Sequence, residues 1–248
     1  MRERTPVPTQ KLGCLGVREE ARLRLGEDSL GGPWLRATSA LDTSGRASFP
    51  ALYGTDFWSW LAENPEERRA FDHAMEQGKE QRVERLASLD WRGDETVVDV
   101  GGGNGSLLVG LLQRHPGLHG IVFDLPETAH DEASLGERCT FVAGSFFERV
   151  PAGDVYVLST ILHNWDDSAA TRILETICVH APPGARLIVL DAVLPDGGEA
   201  HRARWLDLLG LAVFGGQERD ETQWRALLVA GGFEPIAILD GRIEARCR

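Results

Sequence analysis

The sequence predicts an α/β fold: a small helical N-terminal segment, then a doubly wound, mainly parallel sheet that ends in an antiparallel hairpin. Three observations carry this. From Thr96 onward, short apolar runs alternate with helical stretches, as βαβ units require. The first run, "TVVDV", enters a glycine-rich turn, "GGGNG", that opens into an apolar helix. The last two runs, "FEPIAILDG" and "RIEARC", are joined too closely for a parallel crossover, which needs roughly a dozen residues.

Taken in order, residues 1–48 are rich in Arg, Gly and Ser with weak periodicity. Within them "GGPWLRATSALDTSG" offers one short helix around Trp34 to Leu41, between glycines. The next stretch, "FPALYGTDFWSWLAENPEERRAFDHAMEQ", is more strongly helical. Asn64 is placed to cap a helix with Pro65 in its first position and Glu67 completing a capping box. Phe71, Ala74 and Met75 then share a face at helical spacing. Residues 1–90 thus read as a helical segment and residues 91–248 as the sheet domain. In the latter, "TVVDV" (96–100) leads into the helix "SLLVGLLQRH", and "HGIVFDLP" (119–126) is a second strand with a short helix after it. "CTFVAGS" is the third strand and "DVYVLSTIL" (154–162) the fourth. A helix through "SAATRILETICVHA" returns to the strand "ARLIVLDAVL" (185–194), and helices around 199–214 and 220–230 precede the hairpin. No internal repeat is visible.

The 248 residues, 42% hydrophobic and 26% charged, can bury a sizeable core. A formal net charge of −12 argues against non-specific nucleic-acid binding, which needs a basic face, and makes anionic membrane surfaces poor partners. A neutral or cationic ligand is compatible with it. Cys14, Cys139, Cys178 and Cys247 are spaced too widely for a CxxC pair, a zinc signature or a secreted disulfide framework, so reduced, buried thiols are expected. No apolar run approaches the ~20 residues of a membrane span, and "MRERTPVPTQKLG" lacks the apolar core of a signal peptide. A cytoplasmic protein is the expectation.

"VVDVGGGNGS" passes from strand into helix, where open parallel sheets bind nucleotide-type ligands. Glycine there lets the backbone approach a ligand and adopt positive φ. Read as GxGxxG from Gly101 and Gly103, the third glycine would fall on Ser106, and Gly105 comes one residue too early to take its role. The spacing is instead D-x-G-x-G-x-G, from Asp99 through Gly101, Gly103 and Gly105. No Walker lysine follows, which argues against a phosphate cradle. Asp124 ends the second strand about 20 residues on, placed to accept bonds from two ribose hydroxyls. Loop and carboxylates together mark a Rossmann-like binding site. The second pointer is "TILHNWDD" (160–167), where strand-like residues turn abruptly polar at His163. That histidine is either a base at the mouth of a site or a residue that merely ends a strand.

These residues resemble the S-adenosylmethionine-dependent methyltransferases. "VVDVGGGNGSLLVGLLQRHPGLHGIVFDLP" is similar to the corresponding stretch of the plant caffeate-type and bacterial polyketide small-molecule O-methyltransferases. The likeness continues through "AGSFFERVPAGDVYVLSTILHNWDD", "RLIVLDAVLP" and "GGQERDETQWRALLVAGGF", and so covers about residues 49–245. "YGTDFWSWLAENPEERRAFDHAM" looks most like enzymes that tailor aromatic polyketides, such as anthracycline O-methyltransferases. The resemblance implies that Asp99, Gly101 and Gly103 form the cofactor loop, with Asp124 on the ribose and Leu125 beside it. Ser145 and Phe146 would flank the adenine, Trp165 would pack next to it, and Ser159 falls where plant relatives carry a lysine. His163 matches the general base, with Asp191 and Glu218 as its acidic partners. Asn164 replaces the aspartate usual in "HDW". S-adenosylmethionine is the implied cofactor, S-adenosylhomocysteine the product, and a homodimer the implied assembly.

The chemistry fits those residue types. A phenol of pKa ~10 is scarcely ionised at neutral pH, yet phenolate is the competent nucleophile. A histidine can accept the proton as the oxygen attacks, and a carboxylate on its other ring nitrogen fixes the tautomer. The rest is in-line alignment. No metal is needed: "DD" at 166–167 reads as a helix start, where carboxylates meet the positive dipole end. Phe57, Trp58, Trp60 and Met75, with Asn164, are candidates for the acceptor pocket, with core packing as the competing explanation for the first four. His73, His115, His119, His130, His180 and His201 show no ligand-like spacing. Family members carry a longer N-terminal region with a winged-helix-like dimerisation part, which residues 1–48 would have to replace. Two alternatives stand beside methyl transfer to a small aromatic acceptor: hydroxylation or decarboxylation on the same fold, and a non-catalytic cofactor-binding partner subunit.

Overall fold

The computed structural model describes residues 47–75, 78–128, 132–195, 202–239 and 241–248. The helix expected around Trp34 to Leu41, and Cys14, His130 and His201, lie outside them. Valine-, leucine- and isoleucine-rich runs form five short parallel strands: β1 (Thr96–Val100), β2 (His119–Asp124), β3 (Cys139–Ala143), β4 (Val155–Ser159) and β5 (Arg186–Leu190). They pair in the order β3-β2-β1-β4-β5. Two-residue strands β6 (Val193–Leu194) and β7 (Arg219–Asp220) pair separately. β8 (Phe233–Leu239) and β9 (Arg242–Cys247) form the antiparallel hairpin, with β9 laid antiparallel against β5. The sheet the sequence predicts is therefore present, hairpin included.

Among the described residues four helices precede the sheet: α1 (Phe49–Tyr53), α2 (Phe57–Glu63), α3 (Pro65–Met75) and α4 (Lys79–Ala87). α5 (Ser106–Arg114), the short α6 (Glu132–Leu135) and α7 (Asp167–His180) link its strands, and α8 (Arg202–Phe214) and α9 (Glu221–Ala230) follow β5. Side chains alternate between two helix-covered faces, which is why the strands read as nearly continuous apolar runs. Val98, Val100, Tyr156, Leu158, Leu187 and Val189 meet Ile173, Leu174, Trp224 and Leu228 of α7 and α9. Val97, Val122, Val157 and Ile188 face Val83, Leu86, Leu108 and Leu111 of α4 and α5. The first three helices pack elsewhere: Phe49, Phe57, Leu61 and Phe71 bury against Ala212 and Val213 of α8.

Chain order reverses at β1, with β2 and β3 to one side and β4 and β5 to the other. Such a switch opens a crevice at the carboxyl ends of the two central strands. The glycine loop follows β1 and His163 follows β4, so both stand at that crevice.

Several local expectations are corrected. Asn64 does not build a capping box: its Nδ2 turns back to donate to Trp60 O (2.7 Å), and Glu67 Oε2 is buried without a hydrogen-bond partner. Of the face formed by Phe71, Ala74 and Met75, the first two are buried, but Met75 is 38% exposed. The fourth strand stops at Ser159, and the fifth is interrupted at Asp191, where β5 ends and β6 has not begun. Cys178 and Cys247 are not reduced thiols. Folding brings the end of α7 beside β9, and the two are joined as a disulfide with a Cα–Cα separation of 5.5 Å. Cys139 stays a free, buried thiol, pushed up to about 11 by burial. Asp166 starts α7 as expected, accepting the Ala169 N–H at 2.8 Å. Among the described residues no helix is long and apolar enough to cross a membrane.

Candidate active site

The glycine loop is shaped by what surrounds it. Gly101, Gly103 and Gly105 have φ of +73°, +59° and +79°, a region L side chains rarely adopt. A Cβ on Gly105 would lie 2.6 Å from Leu135 Cδ2 and 2.7 Å from Val122 Cγ2. Gly105 therefore does take the close helix-to-sheet packing role that the spacing denies it. Gly103, with nothing within 4 Å of a Cβ position, is the open point of the loop.

Two carboxylates flank it. Asp124 ends β2 and is held by three donors: Gly103 N–H to Oδ2 (2.8 Å), and Leu125 N–H and the Thr128 hydroxyl to Oδ1 (2.7 Å each). Thr128 also accepts from Arg68 Nη2 of α3 at 3.3 Å. Asp99 lies under the loop, 2% exposed, with neither oxygen hydrogen-bonded. A Cβ on Gly102 would sit 2.7 Å from Asp99 Cγ, so only glycine fits above it. Burial, and then the charge of Asp124, push the Asp99 carboxyl up to about 7 against the opposing Arg82 guanidinium of α4.

Beyond Ser159, Thr160 takes φ +57°, strained for a β-branched residue, and turns the chain into a 3-10 turn over Leu162–Asn164. His163 thus sits on a turn clear of the strand. Asn164 Nδ2 donates to Thr160 O (3.0 Å) and closes that turn. His163 Nδ1 lies 2.9 Å from Glu218 Oε1, which leaves Nε2 without a hydrogen-bond partner among the described residues. Glu218 is 6% exposed, and its N–H donates to Asp207 Oδ1 of α8 (2.7 Å). Asp191, 3% exposed and without a well-formed hydrogen bond, faces the imidazole from the end of β5. Burial works against the imidazolium, but the charge of Asp191 and the bond and charge of Glu218 outweigh it and raise His163 to about 9. Asp191 itself is raised by burial to about 6, its shift moderated by the imidazole.

One cavity of about 640 Å³ joins these parts. Every site residue predicted from the sequence lines it except Asp191, which faces His163, and Trp60, which packs against Phe49 and Tyr53. Ser145, Phe146, Ser159 and Leu125 lie around the glycine loop, and Trp165 meets Phe146 and Phe147 edge-on at 5.9 and 4.9 Å. At the other end Trp58 stacks on Phe214 (5.4 Å, 16°), with Met75 at the rim. Phe57 touches the cavity yet is 1% exposed and packed edge-on against Phe49, Phe71 and Phe214, so most of it is core. Thr160, Arg82, Asp207 and Arg219 were not anticipated. Arg82 and Asp207 sit on helices with no distinguishing signal, whereas Arg219 stands beside Glu218 in "GGQERD" and was legible as a charge in a motif. Among the other histidines, His115 Nε2 bonds Ala87 O (3.0 Å) and His180 Nδ1 bonds Thr176 O (2.8 Å), both local contacts.

Residues 34–234 match the O-methyltransferase domain family. The chain is 41% identical over 223 residues to the O-demethylpuromycin-O-methyltransferase of Streptomyces alboniger, covering 84% of this chain and 59% of that one. It is 38% identical over 209 residues to the mitomycin biosynthesis 6-O-methyltransferase of Streptomyces lavendulae (80% and 59%). The crystal structure of LaPhzM superimposes with a TM-score of 0.81 at 34% identity, over 88% of this chain and 70% of that chain. NcsB1 from neocarzinostatin biosynthesis, in complex with S-adenosyl-L-homocysteine and 1,4-dihydroxy-2-naphthoic acid, superimposes with a TM-score of 0.73 at 31% identity (94% and 70%). The chain spans about 59% of the length of the curated relatives it matches. By the extent of these matches, the chain belongs to the O-methyltransferase domain family.

Proposed function

We propose that the protein transfers the methyl group of S-adenosylmethionine to a phenolic hydroxyl of a small aromatic natural product, with His163 as general base and S-adenosylhomocysteine as product. One observation carries this reading: the His163–Glu218 pair and the Asp99 carboxylate, buried without a hydrogen bond under the glycine loop, converge on a single cavity. The names of the relatives, which tailor puromycin and mitomycin, and the naphthoic acid bound by NcsB1 support the acceptor class.

The residues fit the cofactor. A buried carboxylate without donors calls for a positively charged ligand, and Asp124, fixed by its three donors, keeps lone pairs for vicinal hydroxyls. When bound, S-adenosylmethionine supplies a methyl group on a positively charged sulfur. Trp165, Phe146 and Ser145 provide the wall for a flat heterocycle, and Trp58 and Met75 an apolar slot for an aromatic acceptor. His163 Nε2 receives the phenol proton, Glu218 holds Nδ1, and Asp191 stabilises the charge that results. Raised to about 9, His163 holds its proton at neutral pH while the cavity carries no positive ligand. A cation entering the cavity repels that proton, so the base is readied only with the cofactor in place.

On this reading residues 1–90 serve mainly the acceptor and residues 91–248 the cofactor, and the protein works as a homodimer, which light scattering in solution would check. The deciding experiment incubates it with labelled S-adenosylmethionine and a panel of phenolic polyketides and flavonoids, read by mass. Gain of one methyl supports the proposal. Gain of oxygen or loss of carbon dioxide points to other chemistry on this fold, and cofactor binding without turnover points to a partner subunit.

A further inference from the structure

Arg219 is a fully buried cation that no step above uses. Its guanidinium donates from Nη1 to Leu162 O (3.0 Å), from Nη2 to Trp165 O (2.9 Å) and from Nε to Asp167 Oδ1 (2.9 Å). The two carbonyls bracket His163 and Asn164. From the same segment, Gly216 approaches the turn so closely that a Cβ would collide with His163 O and lie 2.6 Å from Asn164 C. The guanidinium also packs over the Trp224 ring, 5.5 Å from its centroid.

We infer that Arg219 is a positioning residue: it clamps the turn carrying His163 from both ends and so fixes where Nε2 stands in the cavity. The inference rests on His163 being the base. Burying a charge is costly until its partners offset the lost hydration, so a fold that needed only volume here would be served by an apolar side chain. Asp167 is 66% exposed and could pair with a surface cation equally well. What the buried fork adds is simultaneous bonds from its two Nη atoms to Leu162 O and Trp165 O, with a longer one from Nη1 to Gln217 O (3.3 Å), a spread that a lysine ammonium cannot reproduce. The segment 216–219 then acts on His163 in three ways: Gly216 admits the turn, Glu218 holds the ring, and Arg219 holds the backbone on either side. The charges facing the imidazole are Asp191 from the end of β5, Glu218 before β7 and Arg219 in β7, with Asp207 of α8 behind Glu218. Arg219 alone among them opposes its protonation.

The test compares Arg219→Met and Arg219→Lys, each also in a His163→Gln background, by turnover, S-adenosylhomocysteine calorimetry and NMR titration of the His163 ring. Arg219→Met should lower kcat about 10- to 100-fold, the scale of an ångström of misplacement, without changing cofactor affinity. The imidazole should titrate at higher pH in the Met variant. The Lys variant, which keeps the charge, should hold the titration and recover part of kcat. In the His163→Gln background Arg219→Met should cost nothing further. Wild-type kcat with an unmoved titration overturns the clamp, as does an equal loss in both backgrounds. If His163→Gln keeps wild-type kcat, the base reading fails and the titration alone decides the clamp. Should Arg219→Met not fold, Asp167→Asn gives the milder form: a smaller kcat loss confined to the His163 background supports the clamp, and an equal loss in both overturns it.

Discussion

Binding of S-adenosylmethionine at pH 8 should expel most of a proton, and binding of S-adenosylhomocysteine should not. With His163 raised to about 9, the imidazole of the ligand-free site is about nine-tenths protonated at that pH. The two ligands share their ammonium and carboxylate and differ by one charge, the sulfonium. Were the sulfonium held within about 6 Å of the ring, an effective dielectric of about 20 would make it cost the imidazolium about 3 kcal/mol, or about two pKa units. His163 then falls to about 7, and roughly 0.8 of a proton leaves on binding. At pH 8 Asp99 (about 7) and Asp191 (about 6) are already mostly ionised, so they add little. The sign follows from linkage: the bound state holds fewer protons, so affinity for the sulfonium ligand rises with pH, by about fivefold per unit between about 7 and 9, while the sulfur of the thioether adds no such rise. Calorimetry in buffers of different ionisation enthalpy reads the proton count directly, and His163→Gln should abolish it. Equal release with both ligands, or none with S-adenosylmethionine, would refute the coupling.

Three further outcomes are expected. Asp99→Asn should raise the ligand-free melting temperature at pH 8 and weaken S-adenosylmethionine binding. The carboxyl is raised from 3.8 to about 7, so the folded state loses stability as pH climbs through that window, by up to a few kcal/mol; a lower melting temperature with unchanged affinity contradicts this. Trp58→Ala, which removes the ring stacked on Phe214, should raise KM for the acceptor and leave cofactor affinity intact; the reverse pattern in binding assays would reassign that wall. Reducing the Cys178–Cys247 disulfide, which closes a span of 69 residues, should lower stability by about 4 kcal/mol on chain-entropy grounds, and an unmoved denaturation midpoint would show that it does not.

What was legible follows from which signals are local. Runs such as "TVVDV" and "RLIVL" carry their own burial pattern, so strands β1 to β5 and the hairpin could be placed. Asp99, Asp124, His163 and Glu218 were found because their motifs stand in family order, and all four line the cavity. Asp191 was named by its motif as an acidic partner of His163, but that β5 ends just before it was not legible within "ARLIVLDAVL", where the apolar run reads straight on. The same holds for Cys178 and Cys247, far apart in sequence and neighbours only once α7 packs beside β9. Asn64 carried a valid cap signal, but its amide found the carbonyl of Trp60 in the preceding helix. Gly105 misled in the opposite direction: counting positions denied it a role that contact with Val122 and Leu135 restores. Arg82 and Asp207 reach the site from ordinary helical faces, where no spacing rule singles out one charge from its neighbours.

The most direct test of His163 as the base is single-turnover methyl transfer by His163→Ala on an accepted phenol, at pH 7 and at pH 10. Loss of a positioned base predicts a rate lower by ~10²–10⁴-fold at pH 7 with S-adenosylmethionine still bound, and partial recovery at pH 10, where bulk ionisation supplies the phenolate. A variant that transfers methyl at the wild-type rate at pH 7 would contradict it.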